Sequence, residues 1–169
     1  TDCVGERFVE VIAGLDVGYR DENCFIVVGF DGKQYYVIDE YVSRESTTAE
    51  LASVVKEKSE EWNIDTIYID SAAQQTKADF AYDYDIYCEN AIKSVNDGIA
   101  AVQALIEHDC LLFDTEGAAH SFSAMSSYKW NPNTENPKPV HDWCSHPCDA
   151  LRYAIYSHQR MSAVSVFTG

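Results

Sequence analysis

Three aspartates in this chain sit where carboxylates can do chemistry. Asp16 closes the apolar run Val11-Ile12-Ala13-Gly14-Leu15 and is followed by Val17-Gly18. Asp70 closes Ile67-Tyr68-Ile69 and is followed by Ser71-Ala72. Asp149 falls in the first turn of a helix signalled by Ser145 or His146 at the N-cap and by Pro147, whose missing N–H costs nothing there. A carboxylate at the exit of a buried strand, with glycine next to it, suits close approach of backbone and ligand. Taken singly, Asp16 reads equally well as a turn residue, and Asp149 as an exposed carboxylate at the positive end of a helix dipole. Taken together, two strand-end carboxylates and one on a helix supply hard oxygen ligands for a divalent cation.

Strand and helix order decides whether they can meet. Val11–Leu15 reads as a central strand covered on both faces. Phe25–Phe30 follows, Asp31-Gly32 is a tight-turn signal, and Tyr35–Val42 returns, so an antiparallel three-stranded meander is expected. Thr47 with Glu50 forms a capping box, opening a helix with Leu51, Val54, Val55 and Trp62 along one side and Asn63 at its end. Ile64–Ile69 is then a strand, reached by a right-handed crossover and therefore parallel to its neighbour, which brings Asp70 to the same sheet edge as Asp16. Ile86-Tyr87-Cys88 reads as a weak strand, and Ser94 with Asp97 as the cap of a helix carrying Val95, Ile99, Val102 and Ile106. Cys110–Phe113 reads as a short strand and 116–127 as a helix. In the last helix Leu151, Ala154, Ile155 and His158 form one apolar-spaced face, with Asp149 on the other side in line with Tyr153 and Tyr156. The expected class is α/β, an RNase H-like fold: a mixed central sheet, meander plus parallel strands, flanked by helices. Residues 1–8 read as a linker remnant and 9–169 as one domain.

Composition bounds the partners. With 169 residues and 46% hydrophobic content the chain can bury a core without staples. No apolar run approaches a membrane span, no signal-peptide pattern opens the chain, and no GxxxxGK[ST] loop for nucleotide phosphates is present. Six scattered cysteines without a CxxC pair read as reduced cytosolic thiols. His141, Cys144, His146 and Cys148 lack the spacing of a zinc knuckle, and His120 and His158 read as structural. The net charge of −16 repels nucleic acid, so any DNA affinity must come from bound cations, a local basic strip or another domain.

Near the C-terminus, His141-Asp142-Trp143-Cys144-Ser145-His146-Pro147-Cys148-Asp149-Ala150-Leu151-Arg152-Tyr153 resembles the HDW-x-SH-x-x-DA-x-RY pattern of the large terminase subunits of tailed bacteriophages. Gly14-Leu15-Asp16-Val17-Gly18 resembles that family's first acidic motif, and Tyr68-Ile69-Asp70-Ser71-Ala72 its second. The resemblance covers about residues 11–158 and concerns the C-terminal nuclease part only. It implies a metal-dependent endonuclease that cuts double-stranded DNA concatemers during viral genome packaging. It also implies an ATPase motor domain on the same full-length protein, a small terminase subunit and a portal as partners, no membrane, and the host cell cytoplasm as location.

Phosphodiester hydrolysis needs an activated water and relief of charge on the phosphate, which two divalent ions, Mg²⁺ or Mn²⁺, supply. On this scheme Asp16 bridges the ions while Asp70 and Asp149 hold one each. His146 can orient Asp149, touch a phosphate, shuttle a proton, or simply cap its helix. Arg152 is expected to pair with an internal carboxylate. Lys93, Lys129 and Lys138, with Arg20, are the candidate DNA contacts. Tyr128, Lys129 and Trp130 open a proline-rich loop, 128–140, that can reach over the metal site as a gate or serve as a passive spacer. The competing readings are another RNase H-like nuclease such as a resolvase, and a non-catalytic motor or capsid-docking module with the acidic surface as its interface.

Overall fold

The computed structural model describes residues 7–18, 22–127 and 145–168. The proline-rich loop 128–140, read as a gate or a spacer, and with it Lys129 and Lys138, lies outside the described residues, as do Arg20, His141, Cys144 and most of the expected linker.

Continuous apolar runs build the centre of the sheet, which is buried on both faces. Strands β1 (Glu10–Asp16), β2 (Glu22–Phe30) and β3 (Tyr35–Arg44) form the antiparallel meander, closed at one turn by Asp31, whose Oδ1 accepts from the N–H groups of Lys33 and Gln34. Helix α1 (Thr48–Trp62) crosses to β4 (Thr66–Ile69), which lies parallel to β1 with Leu15 opposite Ile69. Beyond β4 come α2 (Gln74–Tyr84), the two-residue β5 (Glu89–Asn90), α3 (Val95–Glu107), β6 (Leu111–Phe113), α4 (Ala119–Ser127) and α5 (Ser145–Thr168). The six strands order as β5-β4-β1-β2-β3-β6, with β4, β5 and β6 each parallel to a neighbour. The class is the mixed α/β, RNase H-like one read from the sequence.

Three elements depart from the sequence reading. Helix α2 was not expected, because Gln74–Tyr84 buries only Thr76 and Phe80 and so lacks an apolar stripe. The strand expected at 86–88 pairs later, at Glu89–Asn90; Ile86 and Cys88 are buried by packing in the core on the α1 side, not by ladder bonds. Ser94 precedes α3 without a side-chain cap bond, whereas the Thr47–Glu50 capping box is formed in both directions.

Each face of the sheet has its own core. Val11, Ala13 and Leu15 of β1 face α1 and α2, together with Phe25, Val27, Leu51, Val55 and Phe80. The alternate residues, beginning with Ile12, face α5 together with Ile26, Val28, Leu151, Ala154 and Ile155. Helix α5 is buried on more than one stripe, since α3, α4 and the sheet all pack on it; Tyr153 is 3% exposed although it lies off the Leu151–His158 face. Its middle is tied down where the Tyr35 hydroxyl meets the buried His158 Nδ1 at 2.7 Å and His158 Nε2 meets Glu10. Burial, then the charge of Glu10, pushes the Tyr35 hydroxyl up, so it stays protonated.

Gly14 sets how closely α5 approaches the sheet. A Cβ there would stand 1.8 Å from the main-chain oxygen of Ala150, so helix and strand are in backbone contact at that point. Asp16, two residues on and on the same face, is thereby brought under the first turn of α5. Gly14→Ala is expected to destabilise the fold by about 2–3 kcal/mol or more, since the obstructing atom is backbone and cannot swing aside. Urea unfolding measures this, and a wild-type midpoint would contradict the contact.

Candidate active site

Three elements converge at the carboxyl ends of β1 and β4. Asp16 is the last residue of β1 and only 5% exposed. Asp70 follows β4 directly, its N–H bonded to Leu15 O at 3.1 Å, so the two strand ends are stitched together. Asp149 comes from just past the first turn of α5, not from within it as the sequence reading has it, because the helix already begins at Ser145; the contact at Gly14 holds it over this edge. The placement of Asp16 and Asp70 at one edge is the one the strand order implied.

Each carboxylate meets a basic side chain. His146 Nδ1 lies 2.8 Å from Asp16 Oδ2 and donates to it. Lys93 Nζ lies 2.6 Å from Asp70 Oδ1, which also accepts from the Ala72 N–H at 2.9 Å. Arg152 Nη2 donates to Asp149 Oδ1 at 3.0 Å. His146 therefore contacts Asp16, and Arg152 has the internal carboxylate partner expected of it. Lys93, read from sequence as a DNA contact, has its ammonium on Asp70.

The groups feel one another electrostatically. Burial raises the pKa of Asp149; Arg152 opposes this, and the charge of Asp16 adds to it. The Tyr153 hydroxyl is pushed up by burial and then by Asp16, Asp149 and Asp70, so it stays protonated among all three. The buried Cys24 thiol, opposite Asp16 in the ladder, is pushed up by burial and then by Asp16, Glu22, Glu40 and Asp149.

Two of these acids escaped sequence reasoning. Glu40 accepts from the N–H groups of His120 and Ser121, each at 2.7 Å, and from the Ser121 hydroxyl, which seats the start of α4. Glu22 pairs with Arg44 through Oε1 at 3.2 Å, while its Oε2 is buried without a hydrogen-bond partner among the described residues. The signal available was register: Glu22 and Cys24 alternate onto the face that Asp16 shares.

Among the described residues, no three His, Cys, Asp or Glu side chains are drawn into one closed ligand cluster. The donor chemistry nevertheless fits a hard divalent cation. Carboxylates from three elements share this edge, and the burial that raises Asp149, with the charge of Asp16 adding to it, is a penalty that a bound cation would offset.

Comparison with known proteins bears on this arrangement. The family described as the Terminase RNaseH-like domain matches residues 13–158. The chain is 39% identical over 158 residues to the large terminase subunit of Escherichia phage T5, a match covering 89% of this chain and 36% of that protein. It thus spans about a third of the length of that curated relative. Its fold is similar to the large terminase of the thermophilic bacteriophage D6E, with TM-score 0.82 and 20% identity, over 95% of this chain and 41% of that one. It is also similar to the large terminase nuclease domain of bacteriophage SPP1, solved with bound Mn, with TM-score 0.74 and 23% identity, over 95% and 92% of the two chains.

The raised pKa of Asp149 has a consequence for stability. The folded pKa lies above the unfolded 3.8, so above the folded value the buried charge opposes folding, and the opposition disappears as pH falls from the folded value to 3.8. In metal-free buffer Asp149→Asn is expected to be at least as stable as the wild type at pH 7, with the difference shrinking on acidification toward pH 4. Urea midpoints at the two pH values check this; an Asn variant less stable at pH 7 would contradict it.

Proposed function

The chain belongs to the Terminase RNaseH-like domain family, and from that premise we propose that it is the nuclease domain of a large terminase subunit. It cuts the phosphodiester backbone of double-stranded DNA concatemers during viral genome packaging, in the host cell cytoplasm. The observation that carries this reading is the gathering of Asp16, Asp70 and Asp149 at one sheet edge, with His146 on Asp16.

Asp16, Asp70 and Asp149 are the residues that would hold two divalent ions, Mg²⁺ or Mn²⁺. When bound, such ions supply an activated water and neutralise charge on the phosphate and the leaving oxygen. The protein's part is to hold the ligands. The Nδ1–H of His146 fixes one oxygen of Asp16 and so its rotamer. The Ala72 N–H and the Lys93 ammonium both hold Oδ1 of Asp70. Arg152 holds Asp149. Lys93, 39% exposed, can exchange its carboxylate for a backbone phosphate as substrate arrives.

Partners follow the same reading: double-stranded DNA, an ATPase motor domain on the same full-length protein, the small terminase subunit and the portal. With a net charge of −16, affinity for DNA must rest largely on those partners and on bound cations. The domain itself is taken as residues 9–169, although Phe8 already packs on Tyr36, with ring centroids 5.6 Å apart.

Supercoiled-plasmid nicking tests the proposal. Asp16→Asn, Asp70→Asn and Asp149→Asn are each expected to lower cleavage by about a hundredfold or more, as for loss of a group that stabilises the transition state, while circular dichroism stays native. Wild-type cleavage by all three variants would refute the assignment. Mn²⁺ is expected to support at least as much cutting as Mg²⁺, and Ca²⁺ none, because its longer bonds spoil the two-ion geometry. Robust cleavage in EDTA would contradict the chemistry.

A further inference from the structure

Arg152 lies three residues after Asp149, and its side chain is only 6% exposed. Its guanidinium has two separate attachments. Nη2 donates to Asp149 Oδ1 at 3.0 Å, and Nη1 reaches the main-chain oxygen of Lys93 at 3.4 Å. Lys93 in turn places its ammonium 2.6 Å from Asp70 Oδ1. A single buried fork thus stands between the carboxylate delivered by α5 and the one delivered by β4. The route passes through the 91–94 connection, whose Ile92 N–H is itself bonded to Ser157 of α5 at 2.9 Å.

The stem of Arg152 runs beneath α3 at Gly98. A Cβ on Gly98 would stand 2.7 Å from both Cγ and Cδ of Arg152. Those are mid-chain atoms of a buried side chain, with the guanidinium held at one end and the Tyr153 ring 5.2 Å from its carbon. Glycine inside a helix costs about 1 kcal/mol relative to alanine, and here it makes room for the arginine. A buried guanidinium also carries a desolvation penalty that an apolar side chain would avoid. Both sacrifices are explained if the fork has a geometric task.

We propose that Arg152 is a positioning residue that sets the spacing between Asp149 and the Lys93–Asp70 pair, with Gly98 as the space that admits it. The inference rests on the nuclease reading and deepens it. Arginine suits the task because its planar fork directs two N–H groups at fixed angles, which a lysine of the same charge cannot do.

Mn²⁺ affinity, read by electron paramagnetic resonance titration of the 169-residue chain, tests this alongside Mn²⁺-supported plasmid nicking. Arg152→Lys keeps the charge and loses the fork; it is expected to weaken Mn²⁺ binding by about tenfold or more, the usual effect of removing a group that orients a metal ligand. Gly98→Ala removes no charged group but sets a Cβ 2.7 Å from the buried Arg152 stem, so it is expected to weaken Mn²⁺ binding in the same direction while circular dichroism shows that the fold persists. In an Arg152→Ala background, where no stem remains to be displaced, Gly98→Ala is expected to add nothing. Wild-type Mn²⁺ affinity in either single variant overturns the inference, as does an equal effect of Gly98→Ala with and without the arginine stem. A wild-type chain that neither binds Mn²⁺ nor cuts overturns the nuclease reading itself.

Discussion

The backbone contact between α5 and β1 at Gly14 is the constraint from which the site follows. Helix and strand approach so closely that no side chain fits between them, and the main-chain oxygen of Ala150 rests where a Cβ would be. The residue before Ala150 is Asp149, and two residues beyond Gly14 is Asp16. Their proximity is therefore written into the packing of the core, not into a mobile loop. Ile12, Leu151, Ala154 and Ile155, all essentially buried, hold that packing in place. The chain Tyr35–His158–Glu10 fixes the middle of the same helix, so α5 is held to the sheet at a second point.

Such closeness has an electrostatic consequence. Carboxylates that would repel one another are brought to one edge, and the fold answers with His146, Lys93 and Arg152, one from each of three different surroundings. Arg152 is buried and doubly attached, His146 is nearly buried, and Lys93 is the most exposed of the three. The arrangement is graded: the inner partners hold Asp149 and Asp16 within the packed edge, and the outer one is the most open to solvent. The residual strain appears in Asp149, whose charge is opposed by burial and by Asp16 even with Arg152 beside it. A site that sacrifices stability in this way is the expected result of holding like charges ready for a cation.

Much of this was legible because the governing signals were local. The apolar run before Asp16, the strand before Asp70 and the Pro147 start of α5 each announce an element and place its carboxylate. The Thr47–Glu50 capping box announced α1, hence the crossover that makes β4 parallel to β1 and sets Asp70 beside Asp16. What could not be read depends on tertiary contact. Helix α2 buries so few side chains that no periodicity betrays it. Lys93 looks like any surface lysine until the β5–α3 connection is seen to pass the end of β4. Gly98 looks like a weak point in a helix until the stem of Arg152 is placed beneath it. Glu22 and Glu40 are ordinary strand residues in sequence; the meander's register alone turns them toward Cys24 and α4.

The central claim is that Asp16, Asp70 and Asp149 form one divalent-metal centre. Anomalous X-ray scattering from crystals of the chain soaked in Mn²⁺ tests it most directly. The account predicts manganese peaks within bonding distance of oxygens of all three carboxylates, with Lys93 Nζ drawn away from Asp70. Manganese bound elsewhere on the molecule, with none at these three side chains, would contradict it.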